Sequence, residues 1–175
     1  MLLNTIKVYV ADCHLGKGIF ASSRIARGET IFVFTGRIIT LADAVARGDH
    51  EGDVLQIGPD RYLEPVSPGL YINHSCAPNA GIRGLRHVVA LRDIEPDEEV
   101  NFDYSTTMSE DRWTMHCDCR SPGCRGIIDD FHTLPAALQD KYLAMGIVSD
   151  FIVQQLQGSD ARLHVGSKVA ASAAR

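Results

Sequence analysis

Cys117-Asp118-Cys119-Arg120-Ser121-Pro122-Gly123-Cys124 places three thiols within eight positions, on a stretch bent by Pro122-Gly123. The stretch has few apolar residues of its own, so either a metal held by thiolates folds it or these are reduced cysteines of a loop. A tetrahedral zinc takes four ligands, and three thiolates leave it one short. The fourth must come from elsewhere, which forces a distant segment to lie against this loop. Cys13 and Cys76 are the only other cysteines. His116 adjoins Cys117, and two neighbouring residues ligate one ion only awkwardly. An odd number of cysteines, three of them crowded together, fits a metal site in a reducing compartment better than a disulfide framework. An intracellular setting, cytoplasmic or nuclear and not secreted, is expected.

The remaining pattern predicts a mainly β body with short helices. Strands are expected over Thr5–Val10, Ile19–Ala21 after a break at Gly16-Lys17-Gly18, Thr30–Phe34, Val54–Ile57, Tyr62–Leu63, Gly81–Arg83, His87–Leu91 and Val100–Tyr104. Leu41–Arg47 reads as a short helix capped by Thr40 and stopped by Gly48. Pro135–Met145 reads as a helix closed by Gly146, and Ser149-Asp150 as the cap of another running to Leu156. From Gly158 the chain is small, polar and alanine-rich, the composition of a flexible tail.

At 175 residues the chain suits one compact domain with a small appendage. The opening MLLNTIKVYV carries Asn4 and Lys7 within its apolar run and is a poor signal peptide. No run of about 18 apolar residues is present, so no membrane span is expected. A formal net charge of -5 argues against direct binding of nucleic acid phosphates. Acidic residues concentrate from Asp93 to Asp111 without a Lys or Arg. That run reads either as a solvated turn and edge or as a surface for a basic, lysine-rich partner.

Asn73-His74-Ser75-Cys76 sets a thiol and an imidazole two residues apart. A nucleophile pair needs a base within hydrogen-bond reach and an oxyanion site, and a turn with this spacing rarely provides either. A hydrogen-bonded structural histidine is the simpler alternative.

Taken in order, Gly16-Lys17-Gly18-Ile19-Phe20-Ala21, Asn73-His74-Ser75-Cys76, Asn101-Phe102-Asp103-Tyr104 and C-x-C-x4-C followed by Arg125-Gly126 closely resemble the SET-domain family of protein-lysine methyltransferases, of minimal SET plus post-SET type. The resemblance runs from about Ile6 to Gly126. It implies the SET fold, small curved sheets around a knot-like core in which the stretches at 73–76 and 102–104 are threaded together, with a zinc-binding post-SET loop and C-terminal helices. The implied domains are a SET domain over 5–104 with an insert at about 41–63, a post-SET segment over 113–128, a helical extension over 133–157 and a tail over 158–175. The helices after Pro135 lie outside the resemblance and either pack on the body or make a homodimer interface.

Residue by residue, the resemblance implies that Gly16, Lys17, Gly18, Tyr71, Asn73 and His74 contact S-adenosylmethionine. Cys76 joins Cys117, Cys119 and Cys124 around Zn2+, Tyr104 is the catalytic tyrosine, and Phe34 and Phe102 line the substrate channel. The implied reaction is displacement of the sulfonium methyl by a lysine amine of a protein or peptide. At a reference pKa of about 10.4, only about one lysine in 2,500 is neutral at pH 7, a cost of about 4.6 kcal/mol. A dry channel and a nearby sulfonium both disfavour the ammonium, so no strong base is required. The family carries Phe or Tyr where Phe102 stands, and Phe leaves room for di- or trimethylation. Two departures, Phe34 where Tyr is frequent and Arg37 where Glu is common, keep open an alternative: a catalytically weak module serving as a zinc-containing interaction domain. Trp113 either covers the channel or packs beneath a loop.

Overall fold

A computed structural model describes residues 6–158, which form three small sheets, a two-stranded ribbon and a C-terminal helical unit. The first sheet is a hairpin of β1 (Val8–Cys13) and β2 (Gly16–Ala21) extended by β10 (Glu99–Phe102) and β7 (Asn73–His74), in the order β1-β2-β10-β7. β3 (Thr30–Val33), β9 (His87–Ala90) and β8 (Ala80–Arg83) make the second, in that order. β4 (Gly36–Ile39), β6 (Arg61–Pro65) and β5 (Leu55–Gly58) make the third. The ribbon pairs β11 (Met115–His116) with β12 (Ile127–Ile128).

One apolar core, including Ile19, Phe32, Leu63, Ile82, Val88 and Val100, joins the three sheets. Several expected strands occur within a residue or two of their predicted limits. The GKG segment does not interrupt the chain as expected. It begins β2, with Gly16 opposite Cys13 and Gly18 opposite Ala11, because a two-residue turn brings it straight back along β1. The strand predicted through Tyr104 ends at Phe102, where Asp103 caps a 3-10 turn over Tyr104–Thr107 by accepting from the Ser105 N–H (3.2 Å). At Gly36, which in the sequence reads as the break after the strand Thr30–Phe34, the chain instead begins β4. That glycine has φ +155, and a Cβ there would lie 1.9 Å from the Glu64 carbonyl oxygen, so only glycine admits this approach of β6.

Thr40 caps the helix α1 (Leu41–Val45) through a reciprocal capping box with Asp43. α2 (Ala136–Met145) ends at Gly146 in the left-handed conformation, φ 64. A further helix occupies 150–158. These two pack on the body. Phe131, Leu134, Tyr142, Ile147, Phe151 and Ile152 are buried together against Leu85 and Leu91. A Cβ at Gly81 would meet Ile147 at 2.8 Å, and Asp150 N–H donates to the Gly84 carbonyl (3.2 Å). Each such buried large apolar side chain contributes about 1.5–3 kcal/mol. The body therefore already covers the apolar face that a dimer interface would have used. The expected tail, from residue 159 onward, and Thr5 lie outside the described residues.

Candidate active site and metal centre

β7 and β10 run parallel, with Asn101 opposite Asn73 and Phe102 opposite His74. Ser75 N–H donates to the Phe102 carbonyl (3.0 Å) and extends this pairing by a rung. The two short stretches, about thirty residues apart, are thus held side by side, and Tyr104 comes to lie against His74. Their rings make a T-shaped contact at 5.3 Å, and Tyr104 N–H donates to His74 Nδ1 (3.2 Å). The Tyr104 hydroxyl donates to the Ile72 carbonyl (2.7 Å). Burial, with smaller contributions from Asp53 and Glu99, holds this phenol above its ordinary range. At neutral pH it is an uncharged hydrogen-bond donor and not a base.

Tyr104 borders a cavity of about 110 Å³ whose apolar wall includes Phe34, Ile72, Phe102 and Trp113. Phe102 lies 4.9 Å from the Tyr104 ring, and Phe34 packs edge-on against Phe102 at 6.4 Å. The 3-10 turn over Gly48–Asp53 supplies Glu51, Gly52 and Asp53 to the same cavity. Gly52 lies under Trp113, since a Cβ there would meet the indole at 2.5 Å. Trp113 therefore both lines the cavity and packs against this turn.

Asn73, next to His74 on β7, reaches the glycine segment. Asn73 Nδ2 donates to the Lys17 carbonyl (2.9 Å) and to Glu99 Oε1 (2.8 Å). Gly18 is needed for this close packing, because a Cβ would lie 2.6 Å from Glu99 Oε1 and 3.2 Å from Asn73 Nδ2. Gly16, at φ +101, faces open space. Lys17 is held above its ordinary range by its bond to Asp12 (2.6 Å). Lys17, Gly18 and Asn73 thus pack together, with Gly16 beside them at the start of β2.

Cys76 Sγ lies 3.8 Å from Cys117 Sγ. Two sulfurs on one tetrahedral zinc, with bonds of about 2.3 Å, stand roughly 3.8 Å apart. Ligating atoms of His74, Cys76, Cys117 and Cys119 all fall within 4.8 Å of one another. Cys124 sits outside that group at the rim, exposed, its thiol 3.6 Å from the Cys117 carbonyl. His74 is unsuited to ligation. Its Nδ1 accepts from Tyr104, so Nε2 carries the proton and points it at Cys76 Sγ (3.3 Å). Burial, reinforced by Arg125 against the opposing pull of Asp103, takes His74 down to about 4, so the ring is neutral. Arg125 N–H also donates to Cys76 Sγ (3.4 Å) and favours its thiolate, but burial outweighs this and holds the Cys76 thiol up. Burial holds the Cys117 thiol up. It works against Cys119 too, but bonds led by the Ser121 hydroxyl outweigh it and bring Cys119 down to about 6. The donor set fits zinc through sulfur, with Cys124 available to complete it.

Sequence reasoning quoted Asp103 and Arg125 within motifs but gave no role to the groups that tie these parts together. Asp103 is fully buried and accepts both guanidinium nitrogens of Arg125 (2.6 and 2.7 Å) and the Tyr142 hydroxyl (2.9 Å). One carboxylate beside Tyr104 thus joins the 3-10 turn, the cysteine loop and α2. Glu99 holds Asn73, and nothing in the acidic run distinguished it from its neighbours. That run is not an unpaired surface. Asp93 and Glu95 pair with Arg24, Asp97 accepts from Tyr9, Glu98 pairs with Arg92, Glu110 accepts from Tyr62, and Asp111 lies by His132.

Residues 16–105 match the family model for the SET domain. The chain is 29% identical over 133 residues to histone-lysine N-methyltransferase TRX1 of Oryza sativa subsp. japonica, a match covering 66% of this chain and 13% of that protein. It is 30% identical over 149 residues to the H3 lysine-4 specific histone-lysine N-methyltransferase of Schizosaccharomyces pombe, covering 72% of this chain and 16% of that protein. The chain therefore spans under a fifth of the length of either relative. Among solved structures, it resembles the methyltransferase domain of human histone-lysine N-methyltransferase SETMAR (TM-score 0.58, 18% identity, 70% of this chain and 58% of that one). It also resembles KRYPTONITE in complex with mCHG DNA and SAH (TM-score 0.57, 18% identity, 71% and 29%). At such identities these two likenesses establish the fold.

Proposed function

Because this chain belongs to the SET-domain family, we propose that it transfers methyl groups from S-adenosylmethionine to the side-chain amine of lysine in a protein substrate. The supporting observation is the position of Tyr104, which borders the apolar cavity and touches His74, next on β7 to Asn73, whose amide bonds the glycine segment. Gly16, Lys17, Gly18, Tyr71, Asn73 and His74 would hold the cofactor, which when bound supplies an electrophilic methyl. Phe34, Phe102 and Trp113 exclude water from the cavity and favour the neutral amine over the ammonium. Tyr104, its hydroxyl already oriented by the Ile72 carbonyl, positions that amine and takes no proton. Phe102 presents no hydroxyl to crowd a methylated nitrogen, which favours di- or trimethyl-lysine as product.

Zinc held by Cys76, Cys117, Cys119 and Cys124 would fix the cysteine loop beside these cofactor residues. Reduced thiolates of this kind suit an intracellular compartment, cytoplasmic or nuclear. Glu51 and Asp53 at the cavity wall and the net charge of -5 favour a basic substrate segment. The relatives' names make a histone H3 tail the first to test, alongside other basic proteins.

Phe34 favours a second reading, a weak module that binds zinc and a protein partner with little turnover. Phe34 is buried against Gly69, Phe32 and Phe102 and offers no hydroxyl to an amine. Labelled S-adenosylmethionine incubated with the chain and a panel of histone tails and basic proteins separates the two. Transfer is expected, reduced at least about a hundredfold by Tyr104→Phe with cofactor and zinc binding retained. No transfer to any substrate, with cofactor and zinc demonstrably bound, supports the second reading.

A further inference from the structure

The base of the cysteine loop holds another group of ligating side chains, away from the thiolates. Asp111 stands where the chain enters the loop and Asp130 where it leaves. β11 and β12 pair across the neck between them, and Phe131 N–H donates to the Met108 carbonyl (3.0 Å). Asp130 is fully buried. One of its carboxylate oxygens accepts the Glu110 and Asp111 N–H groups. The other is buried too and has no hydrogen-bond partner. Among the described residues no lysine or arginine pairs with this carboxyl group, and a buried oxygen left without a partner calls for one. Beside it, His132 Nε2 lies 3.3 Å from Asp111 Oδ1, and ligating atoms of all three residues fall within 4.8 Å of one another.

We infer that Asp111, Asp130 and His132 form a metal site separate from the thiolate cluster, suited to a divalent ion of the zinc and cobalt class. Two carboxylates and one imidazole fit such ions, whereas magnesium and calcium are served by oxygen ligands alone. The Asp111 and His132 side chains are 83% and 55% exposed, so the site opens to solvent and water can complete the coordination. The ion neutralises the buried carboxylate and joins the strand entering the loop to the strand leaving it. Met108, Glu110 and Trp113 of the entering segment line the cavity, so the ion also holds one wall of it in place.

The test uses the full chain, loaded with zinc at its thiolates and freed of loosely held metal. Co2+ is titrated in and followed by calorimetry and visible absorption. One Co2+ per chain is expected, with the weak bands of oxygen and nitrogen ligands and without the intense absorption of a cobalt thiolate. Asp111→Asn combined with His132→Ala, both exposed, weakens this uptake at least tenfold while leaving the metal-free melting temperature unchanged. Asp130→Asn abolishes it; should that variant fail to fold because Asp130 also holds the backbone at 110–111, the exposed pair decides. No uptake, uptake with the thiolate band, or uptake indifferent to the exposed pair overturns the inference. Neither readout involves methyl transfer, so the result stands apart from the proposed activity.

Discussion

Replacing Arg125 with Met keeps much of the side-chain volume and the backbone N–H that donates to Cys76, but removes the only cation paired with Asp103 among the described residues. Asp103 has no exposed side-chain surface and Arg125 only 16%. The carboxylate would keep the Tyr142 hydroxyl and the Ser105 N–H and lose two charge-assisted bonds of 2.6 and 2.7 Å. Breaking one side of a buried pair costs about 3–5 kcal/mol, against a total stability of roughly 5–15 kcal/mol for a typical domain. At roughly 2–4 °C per kcal/mol for a domain of this size, the melting temperature falls by about 6–20 °C. Urea unfolding at saturating zinc, followed by circular dichroism, measures the loss. Asp103→Asn in the Arg125→Met background should restore much of it, because the stranded charge is gone. The double-mutant cycle should then show a coupling of about 2 kcal/mol or more. A coupling near zero, or an Arg125→Met cost below about 1 kcal/mol, would refute the view that this pair fastens the cysteine loop to the turn carrying Tyr104.

Phe102→Tyr adds a hydroxyl in the cavity beside Tyr104 and should shift the product toward monomethyl-lysine, as read by mass spectrometry of a methylated peptide. An unchanged product distribution counts against Phe102 as the determinant of product state. Cys76→Ser removes the sulfur that receives both the His74 and the Arg125 N–H groups, and should lower zinc affinity by at least tenfold in a competition titration with a chelator. Zinc retained at full affinity removes Cys76 from the ligand set. The Glu98 carboxyl is held below its usual range chiefly by Arg92, with the Glu95 N–H and Asn79 assisting. That pair's stabilisation is complete above the ordinary glutamate value of about 4.3 and fades as pH falls through the lower folded value. Arg92→Ala should cost about 0.5–1 kcal/mol at pH 7, a difference from wild type that closes in acid; a difference that persists would assign the loss to packing.

Much of the site was legible because its chemistry is carried by short, ordered motifs. Three crowded thiols call for a partner from afar, and Cys76 lies beside Cys117, while Gly18 admits the close packing of Asn73 and Glu99. Alternating apolar residues located strands such as β3, β8 and β9. β7, two residues long, escaped because periodicity needs more residues than that to register. β4 escaped because Gly36 looks like a break and acts as a close-contact position. The acidic run looked like one surface because a linear pattern cannot show that its members face different partners.

What the sequence alone determined was the inventory: a mainly β body, a loop with three crowded cysteines, and Tyr104 at the end of the Asn101–Tyr104 motif. Tertiary structure decided how these combine. It set the proton of His74 toward Cys76, brought Trp113 over Gly52, covered the apolar face of the C-terminal helices with Leu85 and Leu91, and buried Asp103 between Arg125 and Tyr142. The physical reason is range. Periodicity and capping act between residues a few positions apart, whereas each of these arrangements depends on burial and hydrogen bonds between segments that meet only once the core has formed.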